Sequence, residues 1–467
     1  MTAPVDLVIR HARVAAETHR PAPGYPDLPR ADTASRGGVR DLPGHSIGVS
    51  AGRIAWILPD DEVDLAALTD AEIIDASGLV ALPGLVNSHT HTPMVMFRGA
   101  ASDVPTAEWF NDHVWPMEVN LTDRDIRLGA RIAIGELLLG GVTTFADHYF
   151  GMSTIAEEVE GSGIRALLAD TFFSSEGAAG RERSAAFARD AAGSANGRIT
   201  TALGPHAPYT VDDDDLRATA RDAERLGVRI HIHAAENLTQ TASSRSRDGR
   251  TPIGILHETG VLEAGALIAH GAGIVAEDAE LLTPYADRVG VASCTKTYLL
   301  HAQEGTTPLR LLHDAGISVG IGTDGAAGSM TLDVWENMRL LGMIEKYASG
   351  DATWATSAHL LDLATRQNAE VLGLAGEIGA LRPGLRADIV LVDFRTPHLQ
   401  PVHDLAHSLA LSAHQGDVTT VIVDGRVVVR DRRLLTIDLE EAVAELSERL
   451  PALTDRSHGR RVQDYAP

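Results

Sequence analysis

Short apolar runs rich in β-branched residues recur eight times through the middle of the chain, around residues 79–87, 143–147, 165–171, 199–204, 229–234, 267–271, 290–293 and 317–322. Between them lie stretches whose apolar positions repeat with a helical period, such as 123–139 and 212–226, the latter opening on acidic residues as a helix N-terminus favours. Strand and helix alternating in this way predict an α/β fold, a closed parallel (β/α)8 barrel. The two ends read differently. Residues 5–15, 45–58 and 71–80 alternate as short strands broken by Gly52 and Gly78, and residues 387–392 and 418–429 look the same. A small β-sandwich assembled from both ends is expected, with residues 1–82 as its first part, 83–382 as the barrel, and 383–467 as its second part plus a terminal helix at 439–450 and a polar tail. Residues 19–44, rich in Pro, Gly and Arg without periodicity, are expected to form an extended loop between two early strands.

Composition narrows the class. With 467 residues, 44% of them apolar, the chain can bury a large core, and every apolar stretch is interrupted by charges or prolines before it could span a bilayer. The start, Met1 to Asp6, has neither a basic region nor an apolar signal core, and the single Cys294 has no partner for an internal disulfide. The expected location is the cytoplasm. A formal charge of −24 argues against nucleic acid or an anionic membrane as partner.

The chemistry gathers at strand ends. His89 and His91 close the first run, and side chains two apart on a strand point the same way, so both imidazoles can reach one metal ion. His233, His270 and Asp324 each close a later run. In a (β/α)8 barrel those ends form the catalytic mouth. Imidazoles and one carboxylate suit zinc or ferrous iron and leave room for a water. His231 is expected on the opposite face of its strand from His233, in a structural part. The only lysines are Lys296 and Lys346, and none lies between His91 and His233, where a carbamylated lysine would bridge two ions. One divalent ion per chain is therefore expected.

Glu236, three residues beyond His233, is placed to shuttle protons at that mouth. His206, held between Pro205 and Pro208, is expected to bind the substrate ring. Trp109, Trp115 and Glu118 fall in the long loop after strand one, where the aromatics either line a pocket or staple the loop to the core. Lys296, after strand seven, either touches substrate or is solvated, and Cys294 reads as a small apolar residue.

With these residues in place, the chain resembles the metal-dependent amidohydrolase superfamily, and within it the 5′-methylthioadenosine/S-adenosylhomocysteine deaminases and s-triazine hydrolases. The motifs run from Asp75-Ala76-Ser77-Gly78 through Pro83-Gly84-Leu85-Val86-Asn87-Ser88-His89-Thr90-His91 to Gly322-Thr323-Asp324-Gly325 and Gly384-Leu385-Arg386-Ala387-Asp388. The resemblance implies that His89, His91, His233 and Asp324 bind the metal, that His270 orients water or substrate, that Glu236 moves protons, that Glu118 holds ribose hydroxyls and that His206 contacts a purine. Two segments depart from the family. Ala169-Asp170-Thr171-Phe172 lacks the arginine that such deaminases carry after strand three, and Ser293-Cys294-Thr295-Lys296-Thr297-Tyr298 replaces Cys-Pro-Thr-Ser-Asn.

The expected activity is hydrolytic deamination of an amino-substituted N-heterocycle, first an adenine nucleoside or thionucleoside, by a homo-oligomer (a dimer or larger) holding one zinc, with iron second. A hydrolase of a non-nucleoside ring, such as an s-triazine, pterin or guanine-like base, is the alternative. A barrel serving only as a binding module is a remote one, because it would be expected to lack some of the ligands present.

Overall fold

The computed structural model describes residues 5–17 and 39–465, apart from 65, 67 and 69. Eight parallel strands, Leu85–Thr90, Val142–Tyr149, Arg165–Phe172, Ile199–Pro205, Arg229–Ala234, Ala266–His270, Gly290–Ser293 and Ser318–Ile321, lie side by side in chain order. Both faces of these strands are buried, which is why they read as continuous apolar runs. Outward positions such as Phe145, Leu168, Ile230, Ile232 and Ile268 meet the surrounding helices. Inward positions such as Val86, Ala146, Leu167, Ala169, Ala202, Leu267 and Ala292 fill the barrel, and Val371 packs against Gly290 where strand seven begins.

The seam between the last and first strands is stitched by side chains. The His89 carbonyl accepts from the Thr323 and Asp324 amides, both at 3.0 Å. Asn87 donates to the Thr323 hydroxyl at 2.7 Å, and the buried Asn368 amide donates to the carbonyls of Val86 and Ile321. Strand eight is thereby held against strand one at its C-terminal end.

The second sheet has nine strands drawn from both chain ends. Its join is the antiparallel pair of Leu79–Pro83 with Ile389–Asp393. Alternation sorts the two faces: Leu79 and Ala81 enter the sheet's own core with Ile9, Ile47 and Ile389, whereas Val80 and Leu82 pack towards the barrel. A buried bidentate ion pair from Arg165, which opens barrel strand three, to Asp388 (both contacts 3.1 Å) ties the two sheets together.

Several boundaries differ from expectation. The apolar run 79–87 is two strands, not one, parted at Gly84. A Cβ there would come within 2.0 Å of the Thr143 hydroxyl, so only glycine lets the chain cross from one sheet to the other. Residues 39–44, expected in a loop, belong to the strand Val39–Ser50, which pairs with Leu7–Glu17; the rest of that expected loop, from 18 to 38, lies outside the described residues. The terminal helix runs Leu439–Leu453 and the helix Asp123–Leu139 has its expected limits. Among the described residues, no helix is long and apolar enough to cross a membrane.

Candidate active site

His89, His91, His233, His270 and Asp324 converge at the C-terminal mouth of the barrel. His89 comes from strand one and His91 directly follows it; His233 sits in strand five, His270 ends strand six, and Asp324 lies just past strand eight. His270 and Asp324 have left-handed backbones, with φ of 74° and 62°. Strain of this kind is held at functional sites by the surrounding structure.

His89, His91 and His233 each have one ring nitrogen engaged by the protein. His91 Nδ1 donates to the His148 carbonyl at 2.5 Å, and His233 Nδ1 donates to the His206 carbonyl at 2.9 Å. His89 Nδ1 shares a 2.9 Å hydrogen bond with His231 Nε2. These partners leave bare lone pairs on the opposite nitrogens, and those nitrogens face one another. His91 Nε2 and His233 Nε2 are 3.3 Å apart, and Asp324 Oδ1 lies 3.3 Å from His91 Nε2 and 3.9 Å from His89 Nε2. His89 Nε2 is buried without a hydrogen-bond partner. Two nitrogens each about 2.0–2.1 Å from a tetrahedral ion stand about 3.3 Å apart, so the arrangement fits a divalent cation of zinc's size. Burial, reinforced by the neighbouring imidazoles, pushes His89 and His233 well below the usual histidine range, which keeps them neutral as ligands must be. Burial alone would raise the Asp324 carboxyl, but its close approach to His91, the His270 imidazole and the hydrogen bond from the Gly325 amide hold it at about 2; against its own burial, His91 is raised by the same carboxylate.

The cavity above these donors measures about 810 Å³ including its open mouth. Glu236, buried on its wall, is raised to about 7 by desolvation and, less strongly, by the Asp324 charge. His206 also lines the cavity, lowered to about 3 by burial, with Nδ1 2.8 Å from the Thr210 hydroxyl. His270, likewise lowered by burial to about 4, stacks on His233 with centroids 5.4 Å apart.

The segment after strand one is helical rather than a loop. A wide turn of π type, Trp109–Val114, leads into the helical turn Trp115–Glu118. It brings Trp109, Trp115 and Glu118 to the cavity wall. Glu118 accepts a 2.5 Å hydrogen bond from the Tyr149 hydroxyl, and burial raises its carboxyl to about 7. Lys296 is not brought to the cavity: its ammonium bonds Glu336 at 2.6 Å and the Thr331 hydroxyl at 2.9 Å, because strand seven is followed at once by the helix Thr295–Leu300, which carries position 296 off the mouth. Cys294 is fully buried, and burial raises its thiol.

His231 departs most clearly from expectation. It points into the barrel beside His233, not away from it, because positions two apart on a pleated strand share a face. Sequence reasoning also missed His148, which is next to last in strand two, lines the cavity, and supplies the carbonyl that orients His91. The signal was available, since a histidine directly followed the run ending at 147. An arginine does approach the end of strand three: Arg183, from the following helix, bonds Asp170 at 2.8 Å and the Thr171 carbonyl at 2.7 Å, but it does not line the cavity.

Residues 80–428 match the amidohydrolase family. A 5-methylthioadenosine/S-adenosylhomocysteine deaminase of Pelotomaculum thermopropionicum is 41% identical over 385 residues, covering 82% of this chain and 88% of that one. The enzyme of that name from Desulforudis audaxviator is 41% identical over 405 residues, 86% of this chain and 93% of its own. Among solved structures, an adenosine deaminase of Xanthomonas campestris with bound zinc superposes with a TM-score of 0.86 at 27% identity, covering 97% of this chain and 99% of that one. An atrazine chlorohydrolase of Arthrobacter aurescens complexed with zinc gives 0.81 at 25% identity, over 95% and 100%. By its motifs, its barrel with a mixed sheet from both ends, its His/Asp cluster and this match over most of its length, the chain belongs to the amidohydrolase family.

Proposed function

We propose that the chain is a metal-dependent hydrolytic deaminase of an adenine nucleoside or thionucleoside, with one divalent ion, zinc first, held by His89, His91, His233 and Asp324. The observation that carries this reading is the set of mutually facing imidazole nitrogens and the Asp324 carboxylate beside Glu236, a carboxyl raised to about 7. Relatives at 41% identity named for deamination of 5-methylthioadenosine and S-adenosylhomocysteine support the substrate class.

Held by that set, a divalent ion would supply an acidified water, its pKa lowered from about 16 to roughly 7. Asp324, ionised throughout the neutral range, is placed to accept the proton of the water that attacks the amino-bearing ring carbon. Glu236, starting as the carboxyl, donates a proton to the adjacent ring nitrogen, takes up the proton that the added oxygen releases as the ring carbonyl forms, and delivers it to the amine that leaves as ammonia, after which the proton held by Asp324 restores the Glu236 carboxyl; a carboxyl near 7 suits both directions of transfer. His270 orients the attacking water. His206, neutral, contacts the ring, Trp109 and Trp115 wall it, and Glu118 accepts hydrogen bonds from the ribose hydroxyls.

A screen for ammonia release over nucleosides, pterins and s-triazines tests the reading, with the kcat/KM ratio of a riboside to its free base compared in the wild type and in Glu118→Ala. The ratio should fall about 5- to 150-fold in the variant, the effect of leaving sugar hydroxyls unpaired in a closed pocket. A wild type that prefers free bases or triazines, or an unchanged ratio, replaces the nucleoside reading with that of a non-nucleoside ring.

A further inference from the structure

Beyond the terminal helix Leu439–Leu453, the chain returns to the active-site mouth. Asn120 donates to the Leu453 and Asp455 carbonyls at 3.1 and 2.7 Å, Arg456 donates to the Asp112 carbonyl at 3.1 Å, and the Val462 amide reaches the Trp115 carbonyl at 3.3 Å. Asp112 and Trp115 belong to the helical segment that carries Trp109, Trp115 and Glu118, and Asn120 lies two residues beyond it. Asn111 then clamps the backbone of Tyr465 from both sides, accepting from its amide at 2.9 Å and donating to its carbonyl at 3.2 Å.

The clamp sets the Tyr465 ring flat on Phe110, with centroids 4.6 Å apart and planes 11° from parallel, edge-on to Tyr209 at 5.6 Å, and 6.4 Å from Trp115. Phe110, Tyr209 and Trp115 all line the cavity. Gln463 spans to the Ser175 hydroxyl at 3.3 Å, beyond strand three, so the strap bridges two sides of the mouth. Burial raises the Tyr465 hydroxyl, and so does the nearby Glu236 carboxylate.

We propose that Tyr465 is a specificity-determining residue: carried by this strap, its ring packs behind Phe110, Trp115 and Tyr209 and holds these lining side chains in place as the outer wall of the cavity, and so limits the size of the substituent that a bound heterocycle carries on the side away from the proposed metal ligands. The strap also holds Trp115 and Glu118 in register with the barrel. The choice of test substrates rests on the deaminase reading, but the wall itself does not.

The experiment compares kcat/KM for adenosine, 5-methylthioadenosine and S-adenosylhomocysteine, which share base and ribose and differ in substituent length, in the wild type, Tyr465→Ala, Tyr465→Phe, Asn111→Ala and a variant lacking residues 462–467. One methylene's misfit in a closed pocket shifts efficiency by about 10- to 200-fold, so the ratio of the longest to the shortest substrate should rise at least about tenfold in Tyr465→Ala and in the truncated chain. Asn111→Ala should shift it in the same direction and Tyr465→Phe should keep the wild-type ratio, with bound metal unchanged throughout. Equal losses for all three substrates, or a constant ratio, overturn the proposal. A wild type that releases ammonia from none of them defeats the deaminase reading instead. In that case, acrylamide quenching of tryptophan fluorescence decides the wall by itself: it should rise in Tyr465→Ala and in the truncated chain as Trp115 is uncovered, and unchanged quenching overturns the proposal.

Discussion

His231 Nε2 lies 2.9 Å from Nδ1 of His89, so that one buried imidazole sets the tautomer of another. His89 Nε2 is free to bind a cation only if its proton sits on Nδ1, and His231 accepts that proton's hydrogen bond. Partners behind metal ligands of this kind typically contribute 10- to 100-fold in metal affinity. His231→Phe, which fills the space without accepting, should weaken metal binding by about 10- to 100-fold in a competition titration against a chromophoric chelator. Wild-type affinity would reduce His231 to packing.

Metal content follows from the facing donors. Dialysed protein should retain one equivalent of a divalent ion, zinc first, by elemental analysis. Stripping it with a chelator should abolish turnover and lower Tm, since His89 Nε2 is left buried and unpaired and two nitrogen lone pairs confront each other at 3.3 Å. Two retained equivalents, both needed for activity, would contradict the single-ion site.

Glu236 and Asp324 should separate by phenotype. Glu236→Gln should keep its metal and lose about 10²- to 10⁴-fold in kcat, the usual contribution of a positioned acid–base group. Asp324→Asn should lose metal affinity and turnover together. Near-normal turnover in Glu236→Gln would remove it from the proton path.

Glu118 makes a pH signature in stability. Its carboxyl is raised from 4.5 to about 7, chiefly by burial, so the folded state prefers the protonated form while the unfolded chain ionises. Wild-type stability should therefore decline as pH rises from about 4.5 to about 7, at up to roughly 1.4 kcal/mol per unit. Glu118→Gln has no such dependence at this position, so its Tm relative to the wild type should be higher at pH 8 than at pH 5. A constant difference across that range would show that Glu118 titrates normally.

Much of this molecule was legible in its sequence, because the signals are local. Barrel strands buried on both faces need continuous apolar runs, and the helix Asp123–Leu139 needs a capping threonine at 122 and a repeating apolar face; each is a pattern among neighbours. The convergence of His89, His91, His233, His270 and Asp324 was readable for the same reason: a (β/α)8 barrel brings the C-terminal ends of its strands to one mouth whatever the intervening loops do. Tertiary structure decided what depends on partners far away in the chain. The run 79–87 divides at Gly84 only because Thr143 occupies the space where a side chain would go. Lys296 leaves the mouth because Glu336 and Thr331 hold it elsewhere, and Arg183 meets strand three from a separate helix. Tyr465 reaches the aromatic side chains of the cavity wall because Asn111, 354 residues earlier, clamps its backbone. Periodicity records which way a side chain points from its own strand or helix; which distant group it then meets is set by the packing of the whole fold.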